Sequence, residues 1–188
     1  MIEQSKSFLP TAEEVLSFWF EELTEKDHFV KSDALDETIK TQFNALYEML
    51  VDGGLKDFAS TPRAKLAAII VFDQFTRNMF RGSYKSFSAD GLALSLTKKL
   101  IASGDHLNFK DLERVFLYMP LMHSENMVDQ QLSVEQFKQL GISDNYDYAI
   151  KHLKVIDKFG RFPHRNSVLR RISTDEEVVF INTPGTSF

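Results

Sequence analysis

The fold is decided by one stretch of the sequence, Thr61-Pro-Arg-Ala-Lys-Leu-Ala-Ala-Ile-Ile-Val-Phe72. Threonine is a good helix N-cap, and proline is tolerated at the first helical position because the amide hydrogen it lacks would have no partner there. The residues that follow are almost all apolar, but the run is far shorter than the roughly 20 residues that a membrane span needs. The stretch therefore predicts a buried helix of a globular protein.

Similar helix signals stand on both sides of this stretch. Thr11 is followed three residues later by Glu14, which is the spacing of a capping box. Farther along the chain, Gly104 and Gly141 are typical helix stops, and Pro120 is expected to kink or break its helix. No segment alternates polar and apolar residues between turn dipeptides, so the sequence predicts no sheet.

Together these signals predict an all-α protein of about eight helices. Short connections between helices of this length favour antiparallel helical hairpins, in a tetratricopeptide-like, α-solenoid or bundle arrangement. The length of 188 residues suits a single domain over 1–188, with a loose tail at 183–188.

The composition excludes several classes of function. With no cysteine, the chain has no disulfide, no thiolate nucleophile and no cysteine-ligated metal site. The net charge of -5 argues against nucleic-acid binding, which needs basic residues to displace phosphate counterions. The first residues lack the features of a signal peptide, and no apolar run could span a membrane, so we expect a cytoplasmic protein without a membrane partner. No glycine-rich phosphate loop or nucleophile turn is present, and no cofactor is predicted.

Two arginine-rich segments are the most distinctive feature of the sequence. They are Asp73-Gln-Phe-Thr-Arg-Asn-Met-Phe-Arg81 and Asp157-Lys-Phe-Gly-Arg-Phe-Pro-His-Arg165, which repeat Asp, Phe and two Arg at the same spacing. Each segment follows a predicted amphipathic helix and precedes a predicted helix start. One interpretation is an internal duplication that relates about 62–103 to 146–182.

The first segment has a structural and a functional interpretation. Asp73 and Arg77 are four residues apart, so on a helix they face each other and can pair. Alternatively, Arg77, Asn78 and Arg81 form a fork of donors for a carboxylate or phosphate group, because guanidinium offers paired planar donors. Neither interpretation is excluded by the sequence.

The second segment is harder to explain by helix stability alone. Gly160 and Pro163 interrupt the helix, so the residues that follow are expected on a loop, where binding residues are common. These residues are Arg161, His164, Arg165 and Asn166. They would form an anion site with a titratable imidazole, or they would tether the loop to helix ends.

A third candidate is the polar group His123-Ser-Glu125, just after Pro120. His123 and Glu125 are two residues apart and diverge on a regular helix, so they are not a same-face ligand pair. One interpretation is that these residues line a cleft. The other is that His123 is a buried histidine held by hydrogen bonds, which is the commoner case in folded proteins. No two of the five histidines have the spacing of a helical chelating pair, and no metal site is predicted.

At these segments the chain resembles a bacterial family known as domain of unknown function 924. The resemblance rests on 73–82, on Phe116-Leu-Tyr-Met-Pro-Leu121 with His123-Ser-Glu125, and on Phe159-Gly-Arg-Phe-Pro-His-Arg-Asn166. It implies a tetratricopeptide-like helical fold and no assigned activity. The family pattern has proline where Thr76 stands, tryptophan at Phe58, glutamate at Met122 and glycine at Arg170. The Met122 difference weakens any mechanism that needs two carboxylates beside His123.

Three functional hypotheses follow. The first is a binding module whose arginine-lined groove takes an acidic peptide or another anionic ligand. The second is a small-molecule enzyme or sensor that acts on an anionic metabolite in a pocket of histidine and arginine, and it requires the three segments to converge. The third gives the arginine segments a structural role only.

Overall fold

The computed structural model describes residues 9–184, and within this range it contains helices and no strand. Its α-helical segments are α1 (Ala12–Ser17), α2 (Glu25–Phe29), α3 (Asp33–Met49), α4 (Leu55–Phe58), α5 (Pro62–Ile69), α6 (Thr76–Met79), α7 (Asp90–Ser103), α8 (Asp111–Met122), α9 (Met127–Leu140), α10 (Ser143–Phe159) and α11 (Asp175–Ile181). The all-α prediction is confirmed. Residues 185–188 of the predicted tail lie outside the described residues.

Several α-helical segments are continued by π-helical turns. Phe18–Glu22 extends α1, Leu50–Gly54 joins α3 to α4, and Ile70–Phe75 joins α5 to α6. Counted with these turns, residues 9–184 form nine helices, close to the eight predicted. Three short 3₁₀ turns, Tyr84–Phe87, Asp105–Asn108 and Pro163–Arg165, lie in the connections.

The core is built around the helix that the opening stretch predicts. Thr61 caps α5 by accepting a hydrogen bond from the amide of Ala64, and every residue from Leu66 to Phe72 is fully buried. Edge-to-face contacts between aromatic rings surround this helix, as a chain rich in phenylalanine favours. Trp19, for example, contacts both Phe75 and Phe116.

The second half of the chain brings the polar segments together. Helix α9 packs against both α8 and α10. Helix α10 is capped at its C-terminal end by Gly160, whose φ of 66° is the left-handed conformation that favours glycine. Helix α8 continues through Pro120 to Met122, so the expected break does not occur at the proline. Proline lacks the amide hydrogen that would bond to the carbonyl oxygen of Phe116, and Leu121 and Met122 continue the helix beyond it.

Within residues 9–184, no helix has the length and apolar character needed to cross a bilayer.

Candidate functional site

A buried carboxylate at the π-helical turn organises the site. Asp73 lies in the turn Ile70–Phe75, a type of distortion that recurs at functional sites, and it is 0% exposed. One of its oxygens, Oδ1, is 2.8 Å from Nδ1 of His123 and 3.4 Å from a guanidinium nitrogen of Arg77. The other, Oδ2, accepts a 2.6 Å hydrogen bond from the amide of Gln74.

The contact between Asp73 and His123 fixes the tautomer of the imidazole. Burial on its own raises the pKa of Asp73, but the charges of His123 and Arg77 outweigh it and lower this pKa to about 2. An ionised carboxylate only accepts hydrogen bonds, so the ring nitrogen that faces it, Nδ1, carries a hydrogen. The lone pair of neutral His123 is therefore on Nε2.

Arg77 is saturated by neighbouring acceptors. Its two terminal nitrogens donate to the two oxygens of Asp90 at 3.0 and 3.1 Å, and one of them also donates to the carbonyl oxygen of Asp73 at 2.8 Å. Burial favours the neutral form, yet Asp73 and Asp90 together raise the pKa of Arg77. The predicted pairing of Asp73 with Arg77 is thus present, and Arg77 has little capacity left for a ligand.

Arg165 is in the opposite situation. The residue is 7% exposed, and its guanidinium lies between the rings of Phe87 and Phe162, 4.7 Å from each centroid. Its nearest carboxylate is Asp90, at 3.5 Å, and its buried Nε has no hydrogen-bond partner among the described residues. Burial, together with repulsion from Arg77, lowers the pKa of Arg165 to about 10.

Two further histidines approach from the second half of the chain. His152, on α10, has its Nδ1 2.8 Å from the carbonyl oxygen of Tyr148, and its ring centroid is 6.3 Å from that of His123. His164 lies on the 3₁₀ turn next to Arg165. Burial lowers the pKa of His152 to about 3, assisted by the charge of His123. Burial and the charge of Arg165 lower the pKa of His164 to about 4, although this residue is the more exposed of the two.

These side chains line a cavity of about 340 Å³, which we call the histidine–arginine cavity. Its lining residues are Arg77, Arg81, Gly82, Ser86, Phe87, His123, His152, His164 and Arg165. A second cavity of similar size shares Phe87, His123 and Arg165 with it. The two arginine-rich segments and the segment after Pro120 therefore converge, as the small-molecule hypothesis requires.

Other predicted site residues are used to hold the loop in place. Arg161 forms two hydrogen bonds with Glu177, at 2.6 and 2.8 Å, and Asn166 donates to the same carboxylate at 3.3 Å. Glu125 accepts two hydrogen bonds from Arg171, at 2.6 and 3.0 Å. These contacts are tethers between the loop and helix α11 or the end of α8, and none of the three lines the histidine–arginine cavity.

The end of the first segment is tethered in a similar way. Asn78 donates to Asp36 at 2.8 Å, and Arg81 forms two hydrogen bonds with the same carboxylate, at 2.6 and 2.8 Å. Arg81 also borders the cavity, whereas Asn78 does not. Of the residues singled out in the sequence, the structure brings Arg77, Arg81, His123, His164 and Arg165 to one cavity.

Sequence reasoning missed His152, Phe87 and Asp90 as members of the site. His152 could have been noticed, because it stands three residues after Ala149 and three before Val155, both buried on α10. A histidine within a buried stripe needs polar partners, and this is a signal for a site or a tether. Phe87 and Asp90 carry no comparable signal in the sequence.

Within residues 9–184 no group of three His, Cys, Asp or Glu side chains is arranged to hold a metal ion.

The fold and the cavity define an all-helical protein with a polar site of histidine and arginine. The chain belongs to the family described as bacterial protein of unknown function (DUF924), which matches residues 15–185. A solved structure of a protein of unknown function from Agrobacterium tumefaciens is similar, with 29% sequence identity and a TM-score of 0.86. The similarity covers 91% of this chain and 96% of that chain. No curated protein matches the sequence.

Proposed function

We propose that this protein binds a small molecule carrying a carboxylate or phosphate group in the histidine–arginine cavity, with Arg165 as the main anion-binding residue. The proposal rests on one observation. Arg165 is a buried guanidinium that borders this cavity; it forms an ion pair with Asp90 at 3.5 Å, and its Nε has no hydrogen-bond partner among residues 9–184. Buried charged groups in folded proteins are normally paired, so this guanidinium lacks an acceptor that an anion would supply.

The charges around the cavity support the proposal. The carboxylates whose charges act on Arg165 are Asp90, Glu125 and Asp73. Two of them are already engaged, Asp73 by His123 and Gln74 and Glu125 by Arg171. Asp90 binds Arg77 at 3.0 and 3.1 Å but approaches Arg165 only to 3.5 Å. A bound carboxylate or phosphate would give Arg165 a charge-assisted hydrogen bond, which is stronger than a neutral one.

The size of the cavity favours a small molecule. A volume of about 340 Å³ lies at the lower end of the range for small-molecule sites, which is roughly 300–1,000 Å³. The aromatic rings of Phe87 and Phe162 hold the Arg165 guanidinium in place, so little side-chain entropy is lost when an anion binds. The acidic-peptide groove and the cytoplasmic location remain predictions from the sequence.

Calorimetric titration tests the proposal with inorganic phosphate, sulfate and citrate as probes, at constant ionic strength and neutral pH. We expect at least one of the three to bind wild-type protein, and Arg165→Met to weaken it about tenfold or more, which corresponds to the loss of roughly 1.4 kcal/mol. The matched control is Arg63→Met, because Arg63 pairs with Glu13 and Glu113 and does not line the cavity. Equal affinity in wild type and Arg165→Met, or no binding of any of the three anions, would show the proposal to be wrong.

A further inference from the structure

We propose that the cavity is catalytic, with His123 as a general base that activates water for hydrolysis of a small anionic ester, and Asp73 as its positioning residue. This inference rests on the proposed anion site, because Arg165 would hold the substrate in the same cavity. It goes beyond binding, since an anion site needs no buried carboxylate behind a histidine.

The arrangement of Asp73 and His123 carries the proposal. The carboxylate is held on both oxygens, by Nδ1 of His123 at 2.8 Å and by Gln74 at 2.6 Å, so it has one orientation. It is fully buried, whereas His123 lines the cavity. Because Nδ1 faces the carboxylate, Nε2 is the ring nitrogen that is left for the cavity. A carboxylate in this position fixes the tautomer of a catalytic histidine and stabilises the imidazolium that forms when it takes a proton.

The groups that surround His123 are suited to this role. The cations are Arg77, Arg81 and Arg165, the carboxylates are Asp73, Asp90 and Glu125, and the other imidazoles belong to His152 and His164. The imidazole of His123 lies 2.8 Å from the fully buried carboxylate of Asp73, which engages Nδ1 and leaves Nε2 to accept a proton.

Water is a better candidate for the nucleophile than a side chain of the protein. The chain has no cysteine. Ser86, which lines the cavity, donates its hydrogen bond to the carbonyl oxygen of Ser83 at 2.7 Å, and Ser124, which directly follows His123, donates to Asp129 at 2.8 Å. In the proposed step a water molecule loses a proton to Nε2, and its oxygen forms a bond with the ester carbonyl carbon. The bond between that carbon and the alkoxy oxygen then breaks, and the departing oxygen receives the proton from Nε2. The products are a carboxylic acid and an alcohol, and His123 returns to its neutral form.

The test uses the 4-nitrophenyl monoester of succinic acid, an activated ester with a free carboxylate, and follows release of nitrophenol by absorbance. We expect catalysed hydrolysis by wild type, and His123→Gln to lower kcat about 100-fold or more, the usual contribution of a general base. Arg165→Met should instead raise KM about tenfold with kcat changed by less than about threefold, because it removes binding rather than chemistry. The control is His106→Gln, since His106 contacts the carbonyl oxygen of Leu100 and lies outside the cavity.

The positioning role of Asp73 needs a readout other than rate, because Asp73→Asn also perturbs a buried residue. Nuclear magnetic resonance of nitrogen-labelled imidazoles should show His123 with its hydrogen on Nδ1 in wild type. In Asp73→Asn we expect a mixture of the two tautomers, since the carboxylate that holds the hydrogen on Nδ1 is gone.

Two outcomes separate this inference from the proposed function. If phosphate binds through Arg165 but wild type does not hydrolyse the ester faster than buffer, or His123→Gln is as active as wild type, the catalytic inference is wrong and the anion site stands. A hydrogen on Nε2 of His123 in wild type would also overturn it. If neither the ester nor any of the anions binds, the proposed function itself fails.

Discussion

Arg77 and Arg165, one from each arginine-rich segment, share the carboxylate of Asp90, but they share it unequally. Arg77 binds it through two hydrogen bonds of 3.0 and 3.1 Å, whereas Arg165 is 3.5 Å from its nearer oxygen. One carboxylate thus serves two guanidinium groups, and the one that is deeper in aromatic surroundings receives the weaker contact. This imbalance is the basis of the proposed anion site.

Removing the carboxylate that Arg77 and Arg165 share should destabilise the fold and strengthen anion binding. Asp90→Asn is expected to lower the free energy of unfolding by about 1–3 kcal/mol, the usual cost of hydrogen bonds to a charged group. The same change should strengthen phosphate binding about tenfold, because two arginines would then share the anion. Glu113→Gln is the control, since Glu113 is a buried carboxylate that pairs with Arg63 away from the cavity. Weaker phosphate binding in Asp90→Asn than in wild type would contradict this prediction.

Arg161 is expected to stabilise the loop and not to bind ligand. Arg161→Ala removes two hydrogen bonds to Glu177 and one to the carbonyl oxygen of Ile172, and it leaves the buried Glu177 carboxylate with fewer donors. We expect the melting temperature to fall by several degrees, with phosphate affinity per folded molecule unchanged. A variant that melts like wild type but loses phosphate binding would place Arg161 in the site.

The fold was largely predictable because its signals are local. The caps at Thr11 and Thr61 and the glycines after α7, α9 and α10 all act within a few residues of the chain, and each is found where the sequence indicates. The π-helical turns were not predicted. A π turn differs from an α turn by a single extra residue, and in this chain no local residue pattern marks it.

The site was less predictable because it depends on which partner each polar residue meets. Arg161 and Arg165 stand in the same short segment, yet the first forms two hydrogen bonds with a carboxylate from α11, whereas the second has a single 3.5 Å contact with Asp90. Only the three-dimensional arrangement decides between them. His152 was missed because its neighbours in sequence belong to an ordinary amphipathic helix, and its relation to His123 is made by packing of α10 near the end of α8.

One departure from the family pattern has a structural consequence. Arg170 has φ of 55°, the left-handed region that favours glycine, and it stands where the family pattern has glycine. Its side chain is exposed, so no packing offsets the strain. Arg170→Gly should therefore raise the free energy of unfolding by about 1 kcal/mol, which corresponds to about 2–4 °C in melting temperature. A lower melting temperature of Arg170→Gly would show that the arginine side chain stabilises the protein by more than the strained backbone at position 170 destabilises it.

Stability should fall in mildly acidic solution because of His152. The pKa of His152 is lowered to about 3 in the folded protein, against an ordinary value near 6.5. Between pH 6.5 and 3, His152 therefore binds a proton in the unfolded chain but not in the folded protein. The stabilisation is complete above pH 6.5 and declines as the pH falls toward 3, by up to about 1.4 kcal/mol per pH unit. Denaturant unfolding at pH 7, 6 and 5 measures this slope. His152→Asn keeps a donor for the Tyr148 carbonyl and should show a shallower slope; an identical slope would assign the effect to other groups.

The most direct test of the central claim is a crystal structure grown with the anion that binds most tightly among phosphate, sulfate and citrate. The account predicts that the anion occupies the histidine–arginine cavity, with one of its oxygens within hydrogen-bond distance of the Arg165 guanidinium and no such anion in crystals of Arg165→Met. An anion bound only outside the cavity, or a wild-type Arg165 that still contacts Asp90 alone at saturating anion, would contradict it.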